Sequence, residues 1–160
     1  MPCSPTQPTH RGRLPKKEVK NDIMKTESPA PKMRSAKILI LDDEQTIAEL
    51  LCEMLDMLGH KTTFCLSGQQ ALELIDQNQF DVILSDFRMP VMNGQEFHRR
   101  VSGTNPALAR RIIFLTGDVV NEETQNFLQS TGNPHLGKPF QLANLERVVA
   151  EVLNSMANPA

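Results

Sequence analysis

The chain has no Trp and no Tyr, and its seven Phe are the only large aromatic residues. That removes the stacking platforms on which single-stranded nucleic acid is usually held. Cysteine is scarce as well. Cys3, Cys52 and Cys65 are an odd number without metal-ligand spacing, so they read as reduced thiols of a cytoplasmic protein. No stretch approaches the roughly 18 apolar residues of a membrane helix. Nor does an apolar stretch of roughly 7–15 residues follow the early charges, as a secretory signal requires. The expectation is a soluble, cytoplasmic chain without membrane contact. Its 160 residues admit one well-buried domain and are too few for two ordinary ones.

The net charge of −2 conceals an asymmetry. Residues 1–34 hold eight basic residues (Arg11, Arg13, Lys16, Lys17, Lys20, Lys25, Lys32, Arg34) against Glu18, Asp22 and Glu27, a net of +5, which leaves −7 for the rest. The same stretch contains six of the 11 prolines and few large apolar residues, too little to offset the entropy of ordering. A disordered, basic, Pro-rich tail is expected over 1–35. It reads either as a tether to anionic lipid or nucleic acid or as a plain spacer. An upstream start is also open, since Met24 and Met33 would each keep the whole domain. A compact domain is expected over 36–155, with a short tail over 156–160.

From Lys37 onward, short apolar runs alternate with helical periodicity. The runs are 37–41, 61–66, 81–85, 111–115 and 134–137. Between the first two, Ile47, Leu50, Leu51, Met54, Leu55 and Leu58 recur at three- and four-residue steps, and Gly59 ends that helix. Ser67 caps a helix carrying Ala71, Leu72 and Ile75, and another runs near 95–101 before Asn105-Pro106 breaks the chain. Asn121 caps a helix with Thr124, Phe127 and Leu128, and Leu142 to Leu153 supply the last. Five βα units in a row predict an α/β fold, a doubly wound (βα)5 with helices on both faces of a parallel sheet. The strands should therefore be apolar throughout, not alternating.

Four polar sites close four of these runs: Asp42-Asp43, Asp86, Thr116 and Lys138. The carboxyl ends of parallel strands open onto one crevice, so residues far apart in sequence converge there. Adjacent acids oppose joint ionisation unless a cation neutralises them, and Asp42, Asp43 and Asp86 offer the oxygens that a partly hydrated Mg²⁺ prefers. Asp42-Asp43 alone also fits a solvated turn ahead of a helix. Asp86 follows a buried strand and precedes a rigid Pro90 to Asn93-Gly94 loop, and a carboxylate beside a metal is a competent nucleophile toward phosphorus. Thr116 would donate to a phosphoryl oxygen, Gly117 would let its backbone amide approach closely, and Lys138 adds positive charge.

The ordered set Leu-Asp42-Asp43-Glu44, Val-Ile-Leu-Ser-Asp86-Phe-Arg-Met-Pro90-Val-Met-Asn-Gly94, Phe-Leu-Thr116-Gly-Asp and Gly-Lys138-Pro139-Phe140 resembles the receiver domain of two-component response regulators, over about Lys37 to Leu153. The resemblance implies a flavodoxin-like sheet of order 2-1-3-4-5. It implies Asp86 as phosphoacceptor from a histidine kinase or phosphotransfer protein. It assigns Mg²⁺, with Mn²⁺ as alternative, to Asp43 directly, Asp42 through water, Asp86 and the Arg88 carbonyl. Phosphoryl oxygens would meet Thr116, Lys138 and the amides of Phe87 and Gly117, beside a cis Lys138-Pro139 bond. Thr116 and the ring three residues before Lys138 form the switch. That ring is His135 here, a smaller and titratable group that could equally be an edge-strand side chain in solvent. Arg88 and Asp118 border the site and are expected to pair and hinder an attacking water.

The resulting reading is a single-domain response regulator that signals by protein contact, not an enzyme in the ordinary sense. A downstream protein target and a phosphorylation-dependent homodimer are implied, without direct DNA binding, since nothing like an output domain follows Leu153. A phosphate shuttle or sink in a phosphorelay is the alternative. An Asp-nucleophile phosphohydrolase is disfavoured because Arg88 stands where a second Asp is needed. A flavin site is disfavoured because Asp42-Asp43-Glu44 would repel its phosphate.

Overall fold

Successive strand residues point to opposite faces of a sheet, and here both sets are apolar. In the computed structural model, which describes residues 34–157, β1 (Lys37–Leu41), β2 (Lys61–Cys65), β3 (Val82–Asp86), β4 (Ile112–Thr116) and β5 (His135–Gly137) form one parallel sheet in the order β2-β1-β3-β4-β5. The helices are α1 (Gln45–Met57), α2 (Gly68–Gln77), α3 (Gly94–Thr104), α4 (Pro106–Ala109), α5 (Glu122–Thr131) and α6 (Leu142–Ala157). This is the doubly wound, flavodoxin-like arrangement expected. The tail expected over 1–35 lies outside the described residues except for Arg34 and Ser35, as do Cys3 and residues 158–160. Among the described residues no helix is long and apolar enough to cross a membrane.

One face of the sheet carries Ile38, Ile40, Val82, Leu84, Ile113, Leu115 and Leu136 against α1 and α6. The other carries Leu39, Leu41, Ile83, Ile112 and Phe114 against α2, α3, α4 and α5. Every residue of β3 and β4 is buried. Each fully buried Leu or Ile side chain contributes roughly 1.5–3 kcal/mol, so the central strands are the most firmly held part of the fold.

Some expectations fail at the edges. The continuous apolar character does not extend to β2, where only Cys65 is buried, because an edge strand has a neighbour on one side alone. Leu50 is 46% exposed although it belongs to the apolar pattern of α1. That pattern is wider than the arc the sheet covers, and Ala48, Leu51 and Leu55 fill it. The chain break at Asn105-Pro106 restarts a helical turn: Asn105 Oδ1 accepts from the Leu108 N–H at 3.1 Å and Pro106 opens α4. The run 111–115 shifts to 112–116, and 81–85 to 82–86, so Thr116 and Asp86 are the last rungs of their strands.

The expected caps are present: Ser67 accepts from the Gln70 N–H, Asn121 from the Thr124 N–H, and Gly59 takes φ +91° just past α1. Asn93 caps α3 through the Glu96 N–H at 2.9 Å. The loop between β3 and α3 is closed by the Gly94 N–H donating to the Phe87 carbonyl at 2.8 Å. A Cβ on Gly94 would stand 3.1 Å from Phe87 Cα and 3.2 Å from Phe114 Cε1. Neither atom belongs to a flexible side-chain end, so Gly94→Ala should destabilise the domain by about 1–3 kcal/mol in urea titrations. Gly103→Ala, which meets nothing within 4 Å on the exposed side of α3, should instead stabilise it by roughly 0.5–1 kcal/mol.

Candidate phosphoacceptor site

Parallel pairing sets the site. Leu41 lies opposite Ser85, Asp86 opposite Leu115, and Thr116 opposite Gly137. Asp42, Asp86, Thr116 and Lys138 therefore leave the sheet at one rim. Asp42 is fully buried; its Oδ1 accepts from the Glu44 N–H at 2.9 Å and its Oδ2 from Lys138 Nζ at 3.4 Å. Lys138 Nζ also donates to Asp86 Oδ1 at 3.2 Å. Asp43 is exposed at the mouth, and one carboxylate oxygen from each of Asp42, Asp43 and Asp86 falls within 4.8 Å of the others. The Lys138 backbone N–H donates to the Thr116 carbonyl at 2.8 Å, and the Lys138-Pro139 bond is cis.

Three carboxylates thus face one ammonium. Burial is the main force on Asp86 and pushes its pKa up to about 6; Lys138 opposes it, while Asp42 and Asp43 add to it. Burial acts to lower the Lys138 pKa, but Asp86 and Asp42 more than reverse this, so the net direction is upward and the ammonium stays charged. A cluster of hard oxygen donors, largely buried and with more negative than positive charge, fits a divalent cation such as Mg²⁺. Asp42, Asp43 and Asp86 are the side chains that would hold it.

The remaining candidates fall into three groups. Thr116 is buried, and its Oγ1 accepts from the Asp118 N–H at 3.1 Å. Arg88 and Asp118, on the loops after β3 and β4, form an exposed ion pair, Nη2 donating to Oδ2 at 3.1 Å. His135 is not brought into the cluster. It pairs with Phe114, two rungs before Thr116, and its side chain is exposed.

One backbone assignment needs correction. The Phe87 N–H continues the sheet ladder by donating to the Leu115 carbonyl at 2.9 Å, so it is not free for a phosphoryl oxygen. The strand runs one residue longer than its apolar stretch suggests, and the ladder takes up the next amide. At Gly117 a Cβ would meet no protein atom within 4 Å. Ser85, absent from the sequence reading, is buried and donates from Oγ to the Asp86 carbonyl at 3.0 Å. A single Ser in an apolar strand signals such a backbone tie only once the neighbouring carbonyl is known to need a donor.

Comparison with known proteins follows the same outline. A family model described as the response regulator receiver domain matches residues 38–150. The transcriptional regulatory protein CrdR of Helicobacter pylori is 28% identical over 118 residues, covering 74% of this chain but only 55% of that protein. The sporulation initiation phosphotransferase F of Bacillus subtilis is 29% identical over 126 residues, covering 79% of this chain and 100% of that one. Among solved structures, the receiver domain of the sensor histidine kinase PA1611 of Pseudomonas aeruginosa, with a magnesium ion coordinated in its active-site cleft, superposes with a TM-score of 0.67. It is 31% identical and covers 76% of this chain and 100% of that one.

The raised Asp86 pKa has a thermodynamic counterpart in metal-free protein. Folding favours the neutral acid, so this group's stabilising contribution is complete below its ordinary value of 3.8 and is lost as pH rises through about 6. Asp86→Asn escapes the loss. With a chelator present, urea unfolding should give similar stabilities for both proteins near about pH 4. The Asn variant should be more stable by on the order of 1–3 kcal/mol near about pH 8. Saturating Mg²⁺ should raise the wild type and narrow that gap.

Proposed function

Because this chain belongs to the response regulator receiver domain family, a family of signalling phosphoacceptors that are phosphorylated on aspartate in two-component systems, we propose that Asp86 is its acceptor and a phosphohistidine its donor. The observation that carries the reading is the meeting of Asp86 with Lys138 at 3.2 Å inside a triad of acids drawn from two strand ends. The receiver would occupy residues 36–155 and act in the cytoplasm. A histidine kinase or histidine phosphotransfer protein would supply the group, and a downstream protein or a second copy would read the phosphorylated state.

In this reading an Asp86 oxygen attacks phosphorus, the bond from phosphorus to the donor imidazole nitrogen breaks, and the imidazole leaves with the electron pair. Mg²⁺, held by Asp42, Asp43, Asp86 and the Arg88 carbonyl, would offset the acids' repulsion of the incoming anion when bound. Lys138 exchanges carboxylate partners for a phosphoryl oxygen. Thr116 turns its hydroxyl from the Asp118 N–H toward the same group, and the His135 ring is the side chain proposed to follow it. The Gly117 amide completes the set. With the Phe87 N–H tied to Leu115, the Arg88 N–H, which donates to no carbonyl among the described residues, is the nearer candidate on the β3 side.

The exposed Arg88-Asp118 pair contributes at most about 1 kcal/mol to stability. Its proposed role is to cover the approach of water to the aspartyl phosphate. Onward transfer in a phosphorelay is a second reading, favoured by the match that spans the whole of the Bacillus subtilis sporulation phosphotransferase.

Wild-type protein incubated with Mg²⁺ and acetyl phosphate should gain one phosphoryl group by intact mass, and Asp86→Asn should gain none. Omitting Mg²⁺ or introducing Lys138→Ala should slow labelling by at least about tenfold, the equivalent of 1.4 kcal/mol in the barrier. If Asp86→Asn is labelled as readily as the wild type, the acceptor is wrongly assigned. Arg88→Ala should shorten the phosphoryl lifetime a few-fold without moving the urea midpoint. An unchanged lifetime would remove the access role.

A further inference from the structure

The sheet ends on one side in β2, and only alternate residues of that strand bond to β1. The Lys61 N–H donates to the Ala36 carbonyl at 2.9 Å, and the Cys65 carbonyl accepts from the Asp42 N–H at 3.3 Å. Successive residues of a strand aim their backbone groups to opposite sides. Lys61, Thr63 and Cys65 therefore face β1, while Thr62 and Phe64 turn their amides and carbonyls outward. The next outward amide, at Leu66, is closed by the Gln70 side chain, whose Oε1 accepts at 3.1 Å. Among the described residues no side chain does the same for the backbone of Thr62 or Phe64.

Folds ordinarily blunt such an edge with a very short strand, a charge, a proline or a bulge. The opposite edge, β5, is three residues long and is followed by Lys138-Pro139. In contrast, β2 pairs with β1 without interruption over five residues, and beyond Lys61 it carries neither charge nor proline. Phe64 is 37% exposed, and its register partner is Ile40, so its ring lies on the α1 face of the sheet. On the α2 face a groove runs beside the strand, lined by Leu66, Gln70, Glu73, Leu74 and Gln77.

The charges around this edge name its occupant. Glu49, Glu53 and Asp56 lie on α1, Glu73 and Asp76 on α2, and neither helix contains a Lys or Arg. None of these acids forms an ion pair among the described residues. Asp56 Oδ1 accepts from Thr62 Oγ1 at 2.8 Å, which sets that side of α1 beside the strand, and Glu49 stands two turns earlier on the same side. Two copies joined edge to edge would bring the same acidic helices together, so the surface suits a basic partner and opposes a second copy.

We propose that the β2 edge receives an extended basic segment of a partner protein as a sixth strand. Its backbone bonds to Thr62 and Phe64, a branched apolar side chain packs on the Phe64 ring, and its Lys or Arg residues reach the acids of α1 and α2. Because β1 separates this edge from β3, the inference stands independently of the phosphoacceptor reading.

The probe is a fluorescein-labelled peptide of alternating Lys and Val, about seven residues long to match an ordinary strand. It is compared with a Glu and Val peptide and with a Lys and Val peptide whose central Val is replaced by Pro. Anisotropy should show the Lys peptide bound, with affinity falling several-fold as salt rises from about 0.05 to about 0.3 M. The Glu and Pro peptides should bind at least about tenfold more weakly. For the Lys peptide, Glu73→Lys should cost about tenfold, and Phe64→Thr, which keeps a strand-forming residue, about threefold. Both variants should melt with the wild type. In NMR hydrogen exchange, the Thr62 and Phe64 amides should slow on binding. No binding below about 1 mM, equal binding of the Glu peptide, or unchanged exchange at Thr62 and Phe64 would each overturn the proposal. So would a concentration-dependent dimer that protects the same two amides, which would give the edge to a second copy.

Discussion

Two of the three carboxylates at the sheet rim are buried, and a single ammonium serves both. Lys138 Nζ reaches Asp86 at 3.2 Å and Asp42 at 3.4 Å. Charge-assisted contacts of this type ordinarily close to roughly 2.7–2.9 Å. The ammonium is therefore shared, held tightly by neither partner, and the cluster retains an excess of negative charge that burial makes unfavourable. A group in that position is readily drawn toward a stronger anion. The same imbalance suits the site to a divalent cation, which would supply the positive charge that the protein withholds.

The sheet holds this unfavourable arrangement in place. Asp86 and Thr116 are the last residues of the two fully buried strands, and the ladder continues beyond them through the Phe87 N–H and the Lys138 N–H. Moving either residue away from the other would break these bonds and disturb apolar layers on both faces. Close-packed layers resist such adjustment. The exposed Arg88-Asp118 ion pair ties the loops after β3 and β4 to each other.

Much of this was legible in the sequence because it rests on period and punctuation. The unbroken apolar runs of β1, β3 and β4 announce strands covered on both faces, and the polar residue that ends each run marks the crevice. Reading Ser67 and Asn121 as caps requires only local chemistry. What escaped was set by tertiary context. Whether the Phe87 amide is free depends on how far β4 extends beside it. The exposure of Leu50 depends on how much of α1 the sheet can cover. The positive φ of Val91, +70°, is invisible in Pro-Val-Met, where an apolar branched residue predicts a negative φ. His135 could be placed on a strand from sequence, but its orientation follows from β5 being an edge strand of only three residues.

Phe87 connects the site to the rest of the molecule. Its ring meets Phe114 edge to face at 5.6 Å and Phe127 at 5.5 Å, and Phe127 meets His98 edge to face at 5.5 Å. Phe114 stands two residues before Thr116 on β4, Phe127 on α5 and His98 on α3. Phe87, the residue after Asp86, and β4, the strand that ends in Thr116, therefore press on one aromatic block. Edge-to-face rings have a preferred geometry worth about 0.5–1.5 kcal/mol per pair. Through these rings the ends of β3 and β4 are packed against α3 and α5. His98 is the weak point of that block. Burial holds its pKa below the ordinary imidazole value, so the ring packs as a neutral member of the cluster, and a change in α3 or α5 that opened it to water would favour its charged form.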